Sequence, residues 1–173
     1  MSNFRALLPA VTTFIFDYDG VLTDGSVLVD AQGEALRLSN VKDGYALQLA
    51  VKLGYHVAVI SGAVCPTTII RMKSLGVTDV FTGVPDKVAK LKEYMAEKQL
   101  DASQIVYMGD DIPDYRVMKM VGVPVCPADA AKEIMDISVY ISHLGGGRGC
   151  ARDIIEQTLK VQGKWMSDEA HCW

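Results

Sequence analysis

Short hydrophobic runs alternate with amphipathic stretches along most of the chain. The runs are rich in β-branched and aromatic residues and predict strands, which lie near 12–17, 56–60, 79–82, 105–109 and 122–126. The amphipathic stretches predict helices near 43–53, 66–75, 85–98, 113–120 and 148–162. This alternation predicts an α/β fold with a doubly wound parallel sheet.

One region departs from the alternation. The segments SVLVD and EALRL flank the turn Ala31-Gln32-Gly33, which predicts a small β-hairpin flap at about 25–39. A length of 173 residues suits a single domain spanning 1–173 with a full core.

Two acids directly follow the first predicted strand, in FIFDYDGVLTDG. Asp17 and Asp19 are two positions apart, so in an extended chain their side chains point the same way. Such a pair repels unless a cation binds it, or unless one acid is a nucleophile and the other a proton donor. Taken alone, the pair is explained equally well by a turn or a helix N-cap.

Three more acids follow a later strand, in IVYMGDDIPD. Asp110, Asp111 and Asp114 offer oxygen ligands only, a set that favours Mg²⁺ over zinc. Capping of the next helix explains one of these acids, but it leaves their pairing with Asp17 and Asp19 unexplained. The two acidic strand ends therefore predict a Mg²⁺ site with phosphate as a further ligand.

Between the acidic clusters lie two residues suited to phosphate. Ser61 and Gly62 end the second strand and offer a hydroxyl and backbone amides, although a turn is the commoner role of Ser-Gly. Lys87 lies near a helix start, where its ammonium can neutralise both a nucleophile and a phosphate. Lys90 and Lys92 fit a solvated helix face.

The order of these motifs resembles that of the haloacid dehalogenase-like phosphohydrolases. DYDGV, Ser61, Lys87 and GDDIPD match the four motifs of that superfamily. NVKDGYALQLA from Asn40 and GGGRGCARDII from Gly145 extend the resemblance to the 3-deoxy-D-manno-octulosonate 8-phosphate phosphatases, over nearly the whole chain. Related phosphatases of nine-carbon sugar acids, the alternative, carry an acid in the glycine loop where this chain has Arg148.

The resemblance implies a Mg²⁺-dependent phosphatase of lipopolysaccharide synthesis that works through an aspartyl-phosphate. Asp17 would be the nucleophile, and Asp19 would protonate the leaving alkoxide and then deprotonate water. Ser61 and Lys87 would hold the phosphate. The metal residues would be Asp17, Asp19 through its carbonyl, Asp110 and Asp111, with Asp114, and mainly also Asp111, orienting the ligands and metal-bound water.

The substrate would be a phosphorylated sugar acid. The resemblance implies that it contacts Asp19, Asn40, Val41, Lys42, Asp43, Gly44, Gln48, Gly62, Arg71, Lys87 and Arg148. Arginine suits a carboxylate because its donors form a bidentate fork. From the residues alone, Arg71 is an exposed helix arginine and Arg148 follows a flexible glycine turn. Some members carry a basic residue where this chain has Ala63, so one expected substrate contact is missing.

The resemblance also bears on assembly. Only 24 residues separate Gly62 from Lys87, too few for the inserted cap domain of many relatives. Capless relatives form tetramers in which the flap of one subunit closes the site of its neighbour. We therefore expect a homotetramer with a largely apolar hairpin interface.

Composition bounds the remaining possibilities. A net charge of −4 without a basic stripe argues against a nucleic-acid partner. Charged residues interrupt every long hydrophobic stretch, so we expect a cytoplasmic enzyme without a membrane span. The cysteines lack metal-ligand spacing and are expected to be reduced and packed: Cys65, Cys126, Cys150 and Cys172. The tail from Trp165 to Trp173 is too short and mixed in composition to interpret, and it leaves two alternatives open, disorder or contact with a neighbouring subunit.

Two other function classes are weaker. A receiver domain also uses a phosphorylated aspartate, Mg²⁺ and a lysine, but it carries that aspartate after the third strand, where this chain has Phe81-Thr82-Gly83. A non-catalytic sugar-phosphate-binding relative would have no need for Asp19.

Overall fold

The computed structural model describes residues 4–172. Six strands form one parallel sheet, in the order β5-β4-β1-β6-β7-β8. With strands numbered along the chain, these are β1 (Thr13–Phe16), β4 (His56–Ile60), β5 (Asp79–Phe81), β6 (Ile105–Met108), β7 (Val123–Cys126) and β8 (Tyr140–Ile141). Phe16 of β1 is in register with Val59 on one side and Met108 on the other, so these strands end at the same edge.

Helices cover both faces of the sheet. They are α1 (Val41–Lys52), α2 (Pro66–Ser74), α3 (Lys87–Lys98), α4 (Tyr115–Met118), α5 (Lys132–Ile137) and α6 (Cys150–Val161). Short 3₁₀ helices span Phe4–Ala6, Leu8–Ala10, Ala102–Gln104, Ile112–Asp114 and Asp168–His171. No helix within 4–172 is long and apolar enough to cross a membrane.

The hydrophobic core lies in two layers on either side of the sheet. Phe14 and Phe16 of β1 pack with α1, α2 and α6, whereas Ile15 packs with α3, α4 and α5. This alternation follows from the two-residue repeat of a strand. Because each of these side chains is fully buried, each stabilises the fold by about 1.5–3 kcal/mol. The buried central strands give the chemistry at their ends a rigid base.

The predicted doubly wound sheet is confirmed, and most predicted elements lie within two residues of the observed ones. The region 113–120 differs, because the chain makes a 3₁₀ turn at Ile112–Asp114 before α4 begins. Sequence analysis missed α5 and β8, which contain only six and two residues. Elements this short carry too few positions for a period to be recognised.

The predicted flap is present as a separate antiparallel hairpin of β2 (Leu28–Val29) and β3 (Ala35–Leu36). The Asp30 carboxylate accepts hydrogen bonds from the backbone amides of Gln32 and Glu34, both at 2.9 Å, and thereby closes the turn. Between β4 and α3 the described chain contains only α2, β5 and their loops, so no cap domain is inserted there.

The C-terminal segment folds back onto its own chain. The Tyr45 hydroxyl in α1 donates to the Ala170 carbonyl at 2.6 Å, and the Trp165 ring meets the Tyr45 ring edge-on at 6.4 Å. Of the two alternatives left open for the tail, disorder therefore does not apply to residues 165–172. Trp173 lies outside the described residues.

Candidate active site

A cavity of about 340 Å³ opens at the carboxyl end of the sheet, above β1, β4 and β6. Nearly all of its polar lining comes from loops that directly follow these strands. Because neighbouring parallel strands end at one edge, motifs far apart in sequence meet here. The lining residues are Asp17, Asp19, Gly20, Gly25, Ser61, Gly62, Ala63, Lys87, Asp110, Asp111, Pro113 and Asp114.

Lys87 lies at the centre of the acidic residues. It is the first residue of α3, whose N-cap Asp86 accepts from two backbone amides of the first turn. The Lys87 Nζ lies 3.0 Å from Asp17 Oδ2 and 2.7 Å from Asp114 Oδ1. Burial lowers the pKa of Lys87, but these two carboxylates outweigh burial and hold the pKa above its ordinary value. Lys87 therefore stays charged.

The carboxylates around Lys87 are electrostatically crowded. Burial, and then the charge of Asp114, raise the pKa of Asp17 well above its ordinary value, although Lys87 opposes this. Burial, and then the charges of Asp114 and Asp111, raise the pKa of Asp110 to about 7. One lysine thus does not neutralise the acids gathered here.

Three of the acids are placed to share a cation. Carboxylate oxygens of Asp17, Asp110 and Asp114 lie within 4.8 Å of one another. Asp114 Oδ1 is held by Lys87 and by the Tyr107 hydroxyl at 2.9 Å, while its Oδ2 is buried and without a partner. A buried carboxylate oxygen without a partner is costly, and a hard divalent cation accepts such oxygens as ligands. The residues present therefore fit such an ion.

Asp111 lies outside this group of three. Its carboxylate accepts from the Ile112 amide at 2.8 Å and caps the 3₁₀ turn, and the residue is exposed. The sequence placed Asp111 among the metal residues and Asp114 in support, whereas the structure gathers Asp114 with Asp17 and Asp110. A direct contact of Asp111 with the ion stays a prediction.

Asp19 has a partner that sequence analysis missed. Arg37, directly after β3, contacts Asp19 Oδ1 through Nε at 2.6 Å and Asp19 Oδ2 through Nη2 at 3.0 Å. The one available signal was a basic residue at the end of the predicted flap. Its direction towards the cavity is decided only by how the hairpin folds back.

Two glycines allow the loops at the cavity to approach closely. Gly20 has a φ of 81°, and a Cβ at this position would lie 2.0 Å from Asp110 Oδ2. A Cβ on Gly146 would lie 2.1 Å from the Gly20 carbonyl oxygen. A side chain at either position would push the acidic loops apart.

Ser61 and its neighbours form the remaining wall. Ser61 directly follows β4 and is 3 % exposed, and its Oγ accepts from the Ala63 amide at 3.2 Å. Gly62 and Ala63 line the cavity beside it. The predicted phosphate residues Ser61, Gly62 and Lys87 are thus brought together with Asp17 and Asp19.

The other predicted substrate residues do not line this cavity within 4–172. Asn40 caps α1 by accepting from the Lys42 amide at 2.8 Å, and its side chain also donates to the Gly147 carbonyl at 3.1 Å. Arg148 is exposed and pairs with Asp24 at 3.2 Å. Val41 and Lys42 are exposed, and Gln48 is half-buried.

Asp43 is turned into the protein. It is 2 % exposed and accepts from the Gly149 amide at 3.1 Å and the Arg152 amide at 2.7 Å, at the start of α6. Burial raises its pKa to about 6, although these amides oppose the shift. Gly44, one residue on, packs against the Arg71 guanidinium. In this chain Asp43 ties α1 to the glycine loop.

Comparison with known proteins found close relatives. The chain is 34 % identical over 154 residues to the 3-deoxy-D-manno-octulosonate 8-phosphate phosphatase KdsC of Yersinia pestis, covering 89 % of this chain and 82 % of that protein. No protein-family model matched the chain.

Solved structures agree with this similarity. The crystal structure of the Yersinia pestis phosphatase superposes with a TM-score of 0.93 at 32 % identity, covering 96 % of this chain and 90 % of the other. The phosphatase from Moraxella catarrhalis, solved with magnesium, phosphate and KDO, superposes with a TM-score of 0.91 at 27 % identity, covering 95 % of both chains.

We expect Mg²⁺ binding to release protons. The pKa of Asp110 is raised to about 7, so below that pH its proton competes with the cation. The apparent affinity should therefore rise about 10-fold between pH 6 and 8 for one displaced proton. Titration calorimetry in buffers of different ionisation enthalpy measures the Mg²⁺ affinity and the number of protons released on binding. Asp114→Asn should weaken binding more than Asp111→Asn, and an affinity that is flat with pH would contradict the protonated cluster.

We also expect Asp43 to make stability depend on pH. The folded pKa of about 6 exceeds the ordinary 3.8, so the folded state binds the proton more tightly and gains stability as pH falls. Relative to Asp43→Asn, the wild type should gain about 3 kcal/mol between pH 7 and pH 3.5. Urea unfolding at several pH values measures this difference. Asp101→Asn, which removes a carboxylate at an exposed cap, is the control, and a gain of the wild type relative to Asp101→Asn as large as its gain relative to Asp43→Asn would refute the assignment to Asp43.

Proposed function

The chain belongs to the family of 3-deoxy-D-manno-octulosonate 8-phosphate phosphatases, in the haloacid dehalogenase-like superfamily, and we propose that it hydrolyses the phosphate ester of that eight-carbon sugar acid. The observation that most supports this proposal is that one cavity brings together four expected catalytic residues, in a chain whose relatives are such phosphatases. These residues are Asp17, Asp19, Ser61 and Lys87. The enzyme is a phosphoric monoester hydrolase of lipopolysaccharide sugar synthesis.

Mg²⁺ is the cofactor, and when bound it reduces the repulsion between an anionic ester and the acids of the site. Asp17, Asp110 and Asp114 are the side chains placed to hold it. The buried, unpartnered Asp114 Oδ2 supports this assignment. The Asp19 carbonyl and Asp111 remain the further ligands expected from the family resemblance.

Asp17 is the proposed nucleophile. Its carboxylate attacks phosphorus, the bond from phosphorus to the sugar oxygen breaks, and an aspartyl-phosphate forms. Two contacts hold the carboxylate in place, since Oδ1 accepts from the Tyr18 amide at 2.7 Å and Oδ2 faces the Lys87 ammonium at 3.0 Å. Lys87 also supplies positive charge for the phosphate oxygens.

Asp19 is the proposed acid and base. In the first step it gives a proton to the leaving sugar alkoxide, and in the second it takes a proton from the water that attacks the aspartyl-phosphate. Phosphate then leaves and Asp17 is restored. Ser61 and the amides after it hold phosphate oxygens in both steps, which avoids a rearrangement between them.

Assembly forms part of the proposal. Large hydrophobic side chains on and near the hairpin face solvent: Leu28, Val29, Leu38, Val64 and Ile70 are 62–81 % exposed. An apolar surface of this kind is typical of a subunit interface. We place it between subunits of a homotetramer, where Arg71, beside Ile70, and Arg148 would reach the sugar acid in a neighbouring site.

The cytoplasm is the proposed location. Cys65, Cys126 and Cys150 are buried free thiols, and Cys172 is an exposed one. Free thiols are typical of a reducing compartment.

Mg²⁺-dependent phosphate release tests the function. We expect kcat/KM for 3-deoxy-D-manno-octulosonate 8-phosphate to exceed that for a nine-carbon sugar-acid 9-phosphate and for simple sugar phosphates by about 100-fold, because buried polar groups reject a ligand that leaves them unpaired. Preference for the nine-carbon ester would make the alternative substrate correct.

Asp19→Asn is the matched variant for this assay. It keeps the size of the side chain and removes its proton transfer, so turnover should fall about 100-fold or more while substrate binding is retained. Equal rates in the variant and the wild type would overturn the role of Asp19.

The assembly proposal predicts a change of mass. Leu38→Asp places a charge on a side chain that is 81 % exposed in one chain, so in a tetramer it should dissociate the subunits. Light scattering coupled to gel filtration measures the mass. Val161→Asp, on α6, is a control that should remain tetrameric, and a monomeric wild type would contradict the proposal.

A further inference from the structure

The guanidinium of Arg37 links the hairpin to Asp19, which lines the cavity. Arg37 follows β3 directly, and its Nε and Nη2 donate to the two carboxylate oxygens of Asp19 at 2.6 and 3.0 Å. This is a bidentate pair, which fixes the plane of the carboxylate as well as its position. The Arg37 side chain is only 9 % exposed, although most of the hairpin faces solvent.

Further contacts hold the guanidinium itself. Its Nη1 donates to the Ala35 carbonyl at 2.9 Å and approaches Cys65 Sγ at 3.5 Å, at the N-cap of α2. All three nitrogens are thus engaged. Among the described residues 27–39, Arg37 forms hydrogen bonds with residues outside the hairpin, whereas the other hydrogen bonds of this range stay within it. The position of Asp19 is therefore linked to the docking of the hairpin.

Asp19 has little else to orient it. Thr23 Oγ1 donates to its Oδ1 at 3.4 Å, a long hydrogen bond. Asp19 is also absent from the group formed by Asp17, Asp110 and Asp114. Of the side-chain hydrogen bonds to the Asp19 carboxylate, the two from Arg37 are therefore the shortest.

We infer that Arg37 is a positioning residue that orients Asp19 as the proton acceptor of the second step, in which water attacks the aspartyl-phosphate, and that this orientation depends on a docked hairpin. The inference rests on the proposed function of Asp19. Arg37 does not itself line the cavity, so it acts through Asp19 rather than on the phosphate. Its loss should therefore lower kcat and leave KM for the substrate nearly unchanged.

The test compares Arg37→Ala, Arg37→Lys and wild type in steady-state kinetics at saturating Mg²⁺. We expect kcat of the alanine variant to fall about 10- to 100-fold, a part of the 10²–10⁴-fold that acid–base catalysis supplies, with KM within about threefold. The lysine variant keeps the charge but not the fork and should recover part of the rate. Millimolar guanidinium should raise kcat of the alanine variant several-fold and leave the wild type unchanged.

A double variant separates positioning from general stability. If Arg37 acts through Asp19, then Arg37→Ala in the Asp19→Asn background should cause no further loss of rate. Glu34→Gln, at an exposed position in the same hairpin, should behave as wild type. Thermal unfolding and light scattering establish that every variant is folded and assembled as the wild type is.

Three results would overturn the inference. The first is a kcat of Arg37→Ala within threefold of the wild-type value. The second is a loss of kcat that guanidinium does not restore. The third is a further loss of kcat when Arg37→Ala is combined with Asp19→Asn. Each variant is assayed on the sugar-acid phosphate and on p-nitrophenyl phosphate. A wild type active only on the second ester refutes the proposed substrate, while the comparison of Arg37 variants on that ester still decides the inference.

Discussion

The structure depends on how it compensates negative charge at the ends of two neighbouring parallel strands, β1 and β6. The sheet brings Asp17, Asp110 and Asp114 within 4.8 Å of one another, around a single buried lysine. Burial and mutual repulsion raise the pKa values of Asp17 and Asp110, which is the state expected of acids arranged for a cation. The buried strands supply the rigidity that holds these groups together against their repulsion.

Two glycines, which have no side chain, let the loops that carry these acids approach closely. At Gly20 and Gly146 a Cβ would meet Asp110 or backbone at about 2 Å, so the acidic loop and the glycine loop can touch only through glycine. Asn40 and Asp43 also bind the glycine loop, through the Gly147 carbonyl and the Gly149 amide. In one chain, residues expected to contact substrate instead form the support behind the catalytic loop.

The hairpin is shared by the proposed subunit interface and the proposed chemistry. Its outer side chains are apolar and exposed, while Arg37 reaches inward to Asp19. A neighbour that covers the outer face would also restrain Arg37, because Arg37 directly follows β3 and the hairpin ladder pairs only two residues per strand. A capless phosphatase could in this way couple closure of its site to its quaternary structure.

The sequence by itself determined the sheet, the helices longer than eight residues, and the meeting of Asp17, Asp19, Ser61, Lys87 and Asp110, because strand and helix periods are local and parallel strands share an edge. It did not determine which of Asp111 and Asp114 faces inward, because a single 3₁₀ turn reverses their directions. It also did not reveal the Arg37 pair with Asp19 or the inward turn of Asp43. Their partners lie 18 and 106 or more residues away, and contacts at that range follow from tertiary packing rather than from any local pattern.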